Sequence, residues 1–134
     1  MIKEKKSYNI YILGNPILRE DSIPIQIKPK LMEAFPHIQF IELDPTENFP
    51  DAKFLILIDT VINSKKIILI QDLDSLQDMP QYTMHDFDLA FNLKIMNKMN
   101  KLKEFVIIGL PPFFNDALFK ELRSIITNLP SEND

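Results

Sequence analysis

The sequence predicts a single-domain α/β fold in which a mostly parallel, twisted, five-stranded sheet carries helices on both faces. The chain has 134 residues, a length that suits one domain. Five short runs are rich in Ile, Val, Leu and Phe without strict alternation, which is typical of strands covered on both faces. These runs alternate with stretches of helical periodicity, an order that favours parallel strands joined by right-handed crossovers.

The predicted strands are continuous apolar runs of four to six residues. They span residues 8–13, 38–43, 54–58, 67–70 and 105–108. Short links are expected at 45–53 and 63–66. The resulting order is strand, helix, strand, strand, strand, helix, strand, helix.

The first predicted helix spans residues 22–35. Its apolar face consists of Ile23, Ile27, Leu31, Ala34 and Phe35. Asp21 or Ser22 can cap its first turn, and Pro24 is tolerated near the start. Pro29 removes a helical hydrogen bond and costs about 3 kcal/mol inside a helix, so a kink or a late start is expected.

Two further helices are predicted at 85–101 and 113–129. The former is apolar around much of its circumference, which suits a helix covered by the sheet on one side and by a partner on the other. The latter has apolar residues at spacings of three and four. The acidic, polar segment 71–84 lacks periodicity and is expected to be a loop that serves a site or is mobile. Residues 130–134 are expected to form a loose tail.

The amino-acid composition excludes several classes of function. The net charge of −4 argues against a nucleic-acid partner, because phosphate binding needs a basic surface. The absence of cysteine excludes thiolate chemistry and points to a reducing compartment. The charged N-terminus has no apolar segment typical of a signal peptide or a spanning helix, so a cytoplasmic protein without membrane association is expected. Two glycines are too few for a dinucleotide or Walker phosphate loop.

Three residues emerge as a candidate site. In open α/β sheets, ligands bind beyond the carboxyl ends of strands, where the strand order reverses. Asp21 follows the first strand, Asp59 ends the third apolar run, and His85 opens a helix beyond the fourth. If the first, third and fourth strands are neighbours, these side chains share one crevice. Two carboxylates and an imidazole form a ligand set suited to a divalent first-row metal.

Each of these residues also has an ordinary structural interpretation. Asp21 can be a helix N-cap, and Asp59 can cap the turn that follows its strand. His85 can be an exposed residue at a helix start. The other histidine, His37, is interpreted as a turn residue before the second strand. The conjunction of the three residues is more informative than any one of them.

A receiver-like, non-enzymatic module is one alternative. Receiver domains carry an acidic pair directly after strand one, an acceptor Asp after strand three, a Ser or Thr after strand four and a Lys after strand five. Asp59 suits the acceptor position. The pair Glu20 and Asp21 comes seven residues beyond the first strand, however, and the fifth strand is followed by no lysine.

The string LGNPILREDSIP resembles the first motif of the [NiFe]-hydrogenase maturation endopeptidases, which reads roughly Gly-Asn-Pro-Leu, a short link, two acidic residues and Gly-x-Gly. In this register Asn15 and Pro16 match, Glu20 and Asp21 are the acidic pair, and Asp21 takes the position of a metal-contacting carboxylate. The family's second carboxylate ends a buried strand before a small residue, as in Asp59-Thr60. Its histidine opens a helix, as in HDFDLAFNL, and a Gly and a Pro follow its last strand, as in FVIIGLPP.

The resemblance covers almost the whole chain but includes departures. The glycine before the Gly-Asn pair is Leu13 here, and the glycines after the acidic pair are replaced by Ser22 and Pro24. Glycine at such positions permits a close backbone approach. The replacements are therefore expected to change the rim of the cleft, the activity and the substrate identity more than the fold.

The resemblance implies a cytoplasmic endopeptidase that removes a short C-terminal extension from a [NiFe]-hydrogenase large-subunit precursor after nickel insertion. The nickel is supplied by the substrate, whose cysteines hold it firmly, and no tightly bound intrinsic metal is expected. The implied metal-contacting and catalytic residues are Asp21, Asp59 and His85, with Glu20 orienting a ligand. A monomer is expected. The alternative is a degenerate, non-enzymatic relative that binds a partner protein.

Overall fold

The computed structural model describes residues 8–13, 22–44, 49–77 and 84–129, and only the backbone of residues 84–87. The strands in these ranges are β1 (Tyr8–Ile12), β2 (Ile38–Glu42), β3 (Phe54–Thr60), β4 (Ile68–Ile70) and β5 (Glu104–Leu110). The helices are α1 (Ile23–Ala34), α2 (Leu73–Gln77), α3 (Met84–Lys98) and α4 (Asp116–Thr127). The predicted tail, 130–134, lies outside the described residues.

The strands form one five-stranded sheet in the order β2-β1-β3-β5-β4. The pairs β1–β2, β1–β3 and β3–β5 are parallel, and β4 is antiparallel to β5. This confirms the predicted mostly parallel sheet. The premise that the first, third and fourth strands are neighbours is wrong for the fourth, because β5 lies between β3 and β4. From β1 the chain moves outward to β2 on one side and then crosses to β3 on the other, so the strand order reverses between β1 and β3.

Helices cover both faces of the sheet, as predicted. Successive side chains of a strand point to opposite faces. On β3, Ile56 and Ile58 join the core that contains α1 and α4, whereas Leu55 and Leu57 join the core that contains α2 and α3. We call these the α1/α4 face and the α3 face.

Helix α1 runs from Ile23 through Pro29 to Ala34. Of the kink or late start expected from Pro29, the late start is wrong. Pro29 is exposed, while Ile27 and Leu31 on either side of it are buried in the core. Burial of this apolar face outweighs the local penalty of the proline, as tertiary context commonly does. Ser22 takes the N-cap position without capping through its side chain, and its Oγ instead accepts a hydrogen bond from Gln26 Nε2 at 2.7 Å.

The polar segment after β4 contains helix α2, so the expectation of a loop throughout 71–84 is wrong for Leu73–Gln77. Asp72 precedes this helix, and its Oδ1 accepts a hydrogen bond from the Ser75 backbone N–H at 2.7 Å. Leu76 is buried in the core of the α3 face. The Asp72 cap and the buried Leu76 stabilise helix α2, which is too short to show a helical period in the sequence.

Helix α3 ends at a left-handed asparagine. Asn100 has a φ of 57°, and its N–H donates to the carbonyl oxygen of Asn97 at 3.1 Å. The Lys101 N–H donates to the Met96 carbonyl at 2.9 Å, which completes a Schellman motif. The chain then turns into β5. None of the helices in the described ranges is long and apolar enough to cross a membrane.

Candidate active site

The carboxyl ends of β1, β3 and β5 form one continuous edge. Beyond β1, the Leu13 N–H donates to the carbonyl oxygen of Ile58 at 2.8 Å. Beyond β3, the Val61 N–H donates to the carbonyl oxygen of Leu110 at 2.7 Å. The backbone ladder therefore extends past the strand ends and makes this edge rigid. Because the strand order reverses between β1 and β3, this is where a ligand crevice is expected.

Asp59 lies at this edge, on the central strand β3. It is the residue before the last of the strand, and the strand continues to Thr60. Its residue is 9% exposed, and its Oδ1 accepts a hydrogen bond from the Thr60 backbone N–H at 2.8 Å. Since it is two residues from Leu57, its side chain belongs to the α3 face. The carboxylate is thus mounted on the central strand of the sheet.

The next strand gives Asp59 an unusual neighbour. Gly109 on β5 is its register partner. A Cβ built on Gly109 would lie 2.5 Å from Val61 Cγ2 and 3.0 Å from Ile68 Cγ1. Val61 and Ile68 therefore occupy the space that a side chain at position 109 would need. The sequence includes this glycine in FVIIGLPP, but its pairing with Asp59 depends on strand register and could not be derived from the sequence.

The side-chain Oγ1 of Thr60 is buried. Within the described part of the chain, it is the one buried side-chain polar atom without a hydrogen-bond partner. The residue alternates with Asp59 and so belongs to the α1/α4 face. Nothing in the sequence marks this hydroxyl, since Thr is also a good strand former. Its lack of a partner is a property of tertiary packing.

The backbone of His85 lies in the first turn of α3. At the other end of the helix, the chain enters β5, and the Lys103 N–H donates to the Lys53 carbonyl at 2.8 Å beside the start of β3. Helix α3 is about 21 Å long at 1.5 Å per residue, and β5 is about 20 Å long at 3.3 Å per residue. A helix of this length that runs back along the strands has its first turn level with their carboxyl ends, so we expect the backbone of His85 near the edge that carries Asp59.

The other predicted site residues lie outside what the structure describes. Asp21 and Glu20 fall in the segment 14–21, and the side chain of His85 is among those not described. Within the described ranges, no three His, Asp or Glu side chains form a group that could hold a metal ion. That finding does not concern the predicted trio, because two of its side chains are outside the ranges. The convergence of Asp21, Asp59 and His85 stays a prediction.

His37 lies far from this edge. It occupies the turn between α1 and β2, as predicted, and its ring makes edge-on contacts with Phe35 and Tyr8 at centroid distances of 6.2 and 6.4 Å. Tyr8 begins β1, so His37 is at the amino edge of the sheet. It has a structural packing role.

The strand order also separates this fold from receiver domains. The receiver-type doubly wound sheet has the order 2-1-3-4-5. Here the last two strands are exchanged, and β4 is antiparallel to β5. A receiver-like domain is therefore the wrong interpretation of Asp59.

Several solved structures superimpose on this fold. The Hydrogenase 3 maturation protease superimposes with a TM-score of 0.64, at 15% identity, over 92% of this chain and 89% of that one. The chain has the fold of the hydrogenase maturation endopeptidases. The [NiFe] hydrogenase maturation protease HybD from Thermococcus kodakarensis gives a TM-score of 0.61 at 14% identity, over 93% of this chain and 99% of its own. The hydrogenase maturating endopeptidase HybD from E. coli gives 0.58 at 15% identity, over 78% and 74%.

The likeness to the maturation-endopeptidase fold is structural. No protein-family profile matches the sequence, and a comparison with curated proteins finds no significant match. The near-complete coverage of both chains by the Thermococcus kodakarensis superposition shows that the fold is shared as a whole, without a large inserted or missing unit.

Proposed function

We propose that this chain is an endopeptidase that removes the C-terminal extension of a [NiFe]-hydrogenase large-subunit precursor after nickel has been inserted. The observation that carries the proposal is the position of Asp59. It is a buried carboxylate on the central strand, at the edge where the strand order reverses, in a fold shared with proteins named hydrogenase maturation proteases.

The sequence motif supports the same proposal. Asn15, Pro16, Glu20 and Asp21 follow the pattern of the family's first motif, and His85 lies in the first turn of α3, as the family's histidine opens a helix. The acidic motif falls in the segment between β1 and α1. That segment leaves the same edge of the sheet at the strand next to β3. The topology thus allows all three residues to approach one point.

In the proposed reaction, the precursor brings the nickel ion. Asp21, Asp59 and His85 contact this ion while the cysteines of the precursor hold it. The ion can then polarise the scissile carbonyl or activate a water molecule for its hydrolysis. Asp59 contributes a fixed negative charge from a rigid strand, and Glu20 orients one of the other ligands. Cleavage is thereby restricted to precursor that already contains metal.

The donor set suits a transient metal contact. Two carboxylates and one imidazole leave coordination positions open, and the chain contains no cysteine to supply a thiolate. The purified protein should therefore carry no stoichiometric metal. Elemental analysis that finds one tightly held zinc ion per chain would show a metal centre of the protein's own and would contradict the proposal.

The direct test is incubation of the purified protein with nickel-loaded and nickel-free large-subunit precursors. The mass of the large subunit is then measured. The proposal expects the C-terminal extension to be lost from the nickel-loaded precursor alone. Unchanged mass in both samples, with a precursor that a known maturation protease does cleave, would overturn it.

A non-enzymatic, partner-binding relative is the second candidate. Ser22 and Pro24 favour it, because they stand where the family has glycines and both are buried at the start of α1. Such a protein would bind the precursor without shortening it. The same experiment separates the two functions if binding is measured alongside the mass, for example by size-exclusion chromatography of the mixture.

A further inference from the structure

Helix α3 and Met99, the residue that follows it, expose an apolar stripe on the side away from the sheet. The Met99 N–H continues the helical pattern by donating to the Ile95 carbonyl at 3.0 Å. Phe91, Ile95 and Met99 are 52%, 39% and 57% exposed. They follow one another at intervals of four residues, which places them about 40° apart around the helix and over about 12 Å of its length. The opposite side of the helix is buried through Leu89, Leu93 and Met96. We call the three exposed residues the α3 stripe.

One border of the α3 stripe is basic. Lys94 and Lys98 follow Phe91 and Ile95 by three residues each and so lie on the same side of the stripe. Within the described part of the chain, neither lysine has an ion-pair partner. On this acidic chain, the border is a local positive charge without a neutralising carboxylate in the described ranges.

The other border is polar and carries an acidic residue. Asp88 and Asn92 precede Phe91 and Ile95 by three residues each. The Asn92 side-chain Nδ2 donates to the Asp88 carbonyl oxygen at 2.9 Å. The two borders therefore differ in charge. A charged partner that covers the stripe would bind in one orientation in preference to the other.

We propose that the α3 stripe is a docking surface for an amphipathic helix of a partner protein, one whose apolar seam is bordered by Asp and Glu side chains. An apolar helix face seated against Phe91, Ile95 and Met99 would remove them from water. Acidic residues beside that seam would neutralise Lys94 and Lys98. The proposal rests on α3 alone and is independent of the endopeptidase proposal.

Charge and symmetry argue against a second copy of this chain as the occupant. In an antiparallel pair of α3 helices related by a twofold axis, each border faces the same border of the other copy. Lys94 and Lys98 would then meet their own equivalents, which is repulsive. In a parallel pair the basic border faces the polar one, but Asp88 lies about 9 Å nearer the start of the helix than Lys94. Neither arrangement pairs the lysines.

An anionic lipid surface is a poorer occupant. Lipid recognition through charge typically involves clusters of four to eight basic residues. The α3 stripe has two on its border, and the chain as a whole has a net charge of −4. A single partner helix with a few carboxylates matches this charge better than a membrane does.

The test uses a labelled helical peptide of about four turns, with leucines at the spacing of the α3 stripe and glutamates on both borders. Binding to the full chain is measured by fluorescence anisotropy. Saturable binding is expected, and Met99→Glu should weaken it about tenfold or more. Met32→Glu is the matched control, because Met32 is 52% exposed but lies on α1. It should leave the affinity unchanged.

Charge reversal tests the basic border separately. A peptide with the same leucines and lysines on both borders should bind the original chain weakly. The double variant Lys94→Glu/Lys98→Glu should reverse this preference in favour of the lysine peptide. Circular dichroism of each variant checks that α3 is retained. Equal binding of both peptides to the original chain would contradict the proposed charge complementarity.

Three results would overturn the proposal. The first is absence of saturable binding of the glutamate peptide, or binding that Met99→Glu does not weaken. The second is self-association in analytical ultracentrifugation that Met99→Glu abolishes, which would make the stripe a contact between copies. The third is cosedimentation with phosphatidylserine vesicles that depends on Lys94 and Lys98, which would make it a membrane surface.

Discussion

Asp59 on β3 and Gly109 on β5 are register partners, so the candidate carboxylate stands beside a residue without a side chain. Parallel register partners present their side chains to the same face, and here this is the face covered by α3. The space above Gly109 is occupied by Val61, directly after β3, and by Ile68 of β4. The packing of the antiparallel edge strand β4 against the sheet thus depends on Gly109, the residue next to the candidate site.

We expect Gly109→Ala to destabilise the fold by about 1–3 kcal/mol, because the new methyl group overpacks the core. Its Cβ would lie 2.5 Å from Val61 Cγ2, a separation that requires a neighbour to move. Urea denaturation monitored by circular dichroism measures the loss. The double variant Val61→Ala/Gly109→Ala should lose less stability than the sum of the two single variants. Strict additivity would show that the contact is not the cause.

We expect Thr60→Val to raise the free energy of unfolding by about 1 kcal/mol, because it replaces a buried hydroxyl that has no partner in the described ranges with a methyl group of the same shape. The measurement is again urea denaturation. Thr127→Val is the control, since the Thr127 hydroxyl donates to the Arg123 carbonyl at 2.8 Å on an exposed face. The control should not stabilise. A destabilised Thr60→Val would indicate that the hydroxyl makes a contact in solution.

The sequence predicted those parts of the fold that local pattern determines. The apolar runs of β3 and β5 are buried on both faces, as their composition predicts. The expectation of two covered faces is wrong for the edge strand β2, where Ile38 and Phe40 are buried but Gln39 and Ile41 are exposed. Helix α4 has a clear apolar face, with Leu118, Leu122 and Ile126 buried, and it begins where Asn115 accepts a hydrogen bond from the Leu118 N–H. Its boundaries, Asp116–Thr127, fall inside the predicted 113–129.

The position of β4 could not be predicted in the same way. An apolar run of three or four residues does not indicate whether its strand is parallel or antiparallel to its neighbour. The place of β4 beside β5 is set by long-range pairing with Ile107, Ile108 and Gly109. The premise of the site argument, that the fourth strand is a neighbour of the first and third, is not met. Helix α2 was missed because five residues are too few to display a helical period.

For the candidate site, the sequence located Asp59 correctly at the end of a buried strand. It could not show which neighbour stands beside the carboxylate, since Gly109 is fifty residues away and is brought there only by register. It also did not distinguish the capping role from the strand role. The structure shows that β3 continues through Thr60 and that Asp59 Oδ1 also accepts a hydrogen bond from the Thr60 backbone N–H.

Acid should disrupt the start of α2. The backbone N–H of Ser75 donates to Asp72 Oδ1 at 2.7 Å and holds the pKa of that carboxyl below its ordinary value of 3.8. A lowered pKa means that the cap is intact above 3.8 and is lost as the pH falls through the lower folded-state value. The Ser75 amide resonance should therefore titrate with a midpoint below 3.8, and in Asp72→Asn it should not follow this curve. A midpoint at or above 3.8 would contradict the cap.

We expect Asp59 to be the least replaceable of the three candidate site residues. It is mounted on the central strand, whereas Asp21 precedes α1 in the sequence and His85 lies in the first turn of α3. A metal contact is positioned more accurately from a rigid element. Asp59→Asn keeps the shape and the Oδ1 acceptor for the Thr60 N–H but removes the charge that attracts a divalent ion.

If Asp59 only caps the backbone, Asp59→Asn should cost about 1 kcal/mol or less in stability and leave cleavage of the nickel-loaded precursor intact. If Asp59 contacts the metal, folding should survive while cleavage collapses. Asp116→Asn is the control, because Asp116 is exposed in the first turn of α4. Both variants are compared by urea denaturation and by the mass of the large subunit. A folded Asp59→Asn variant that processes the precursor at the rate of the control would refute the assignment.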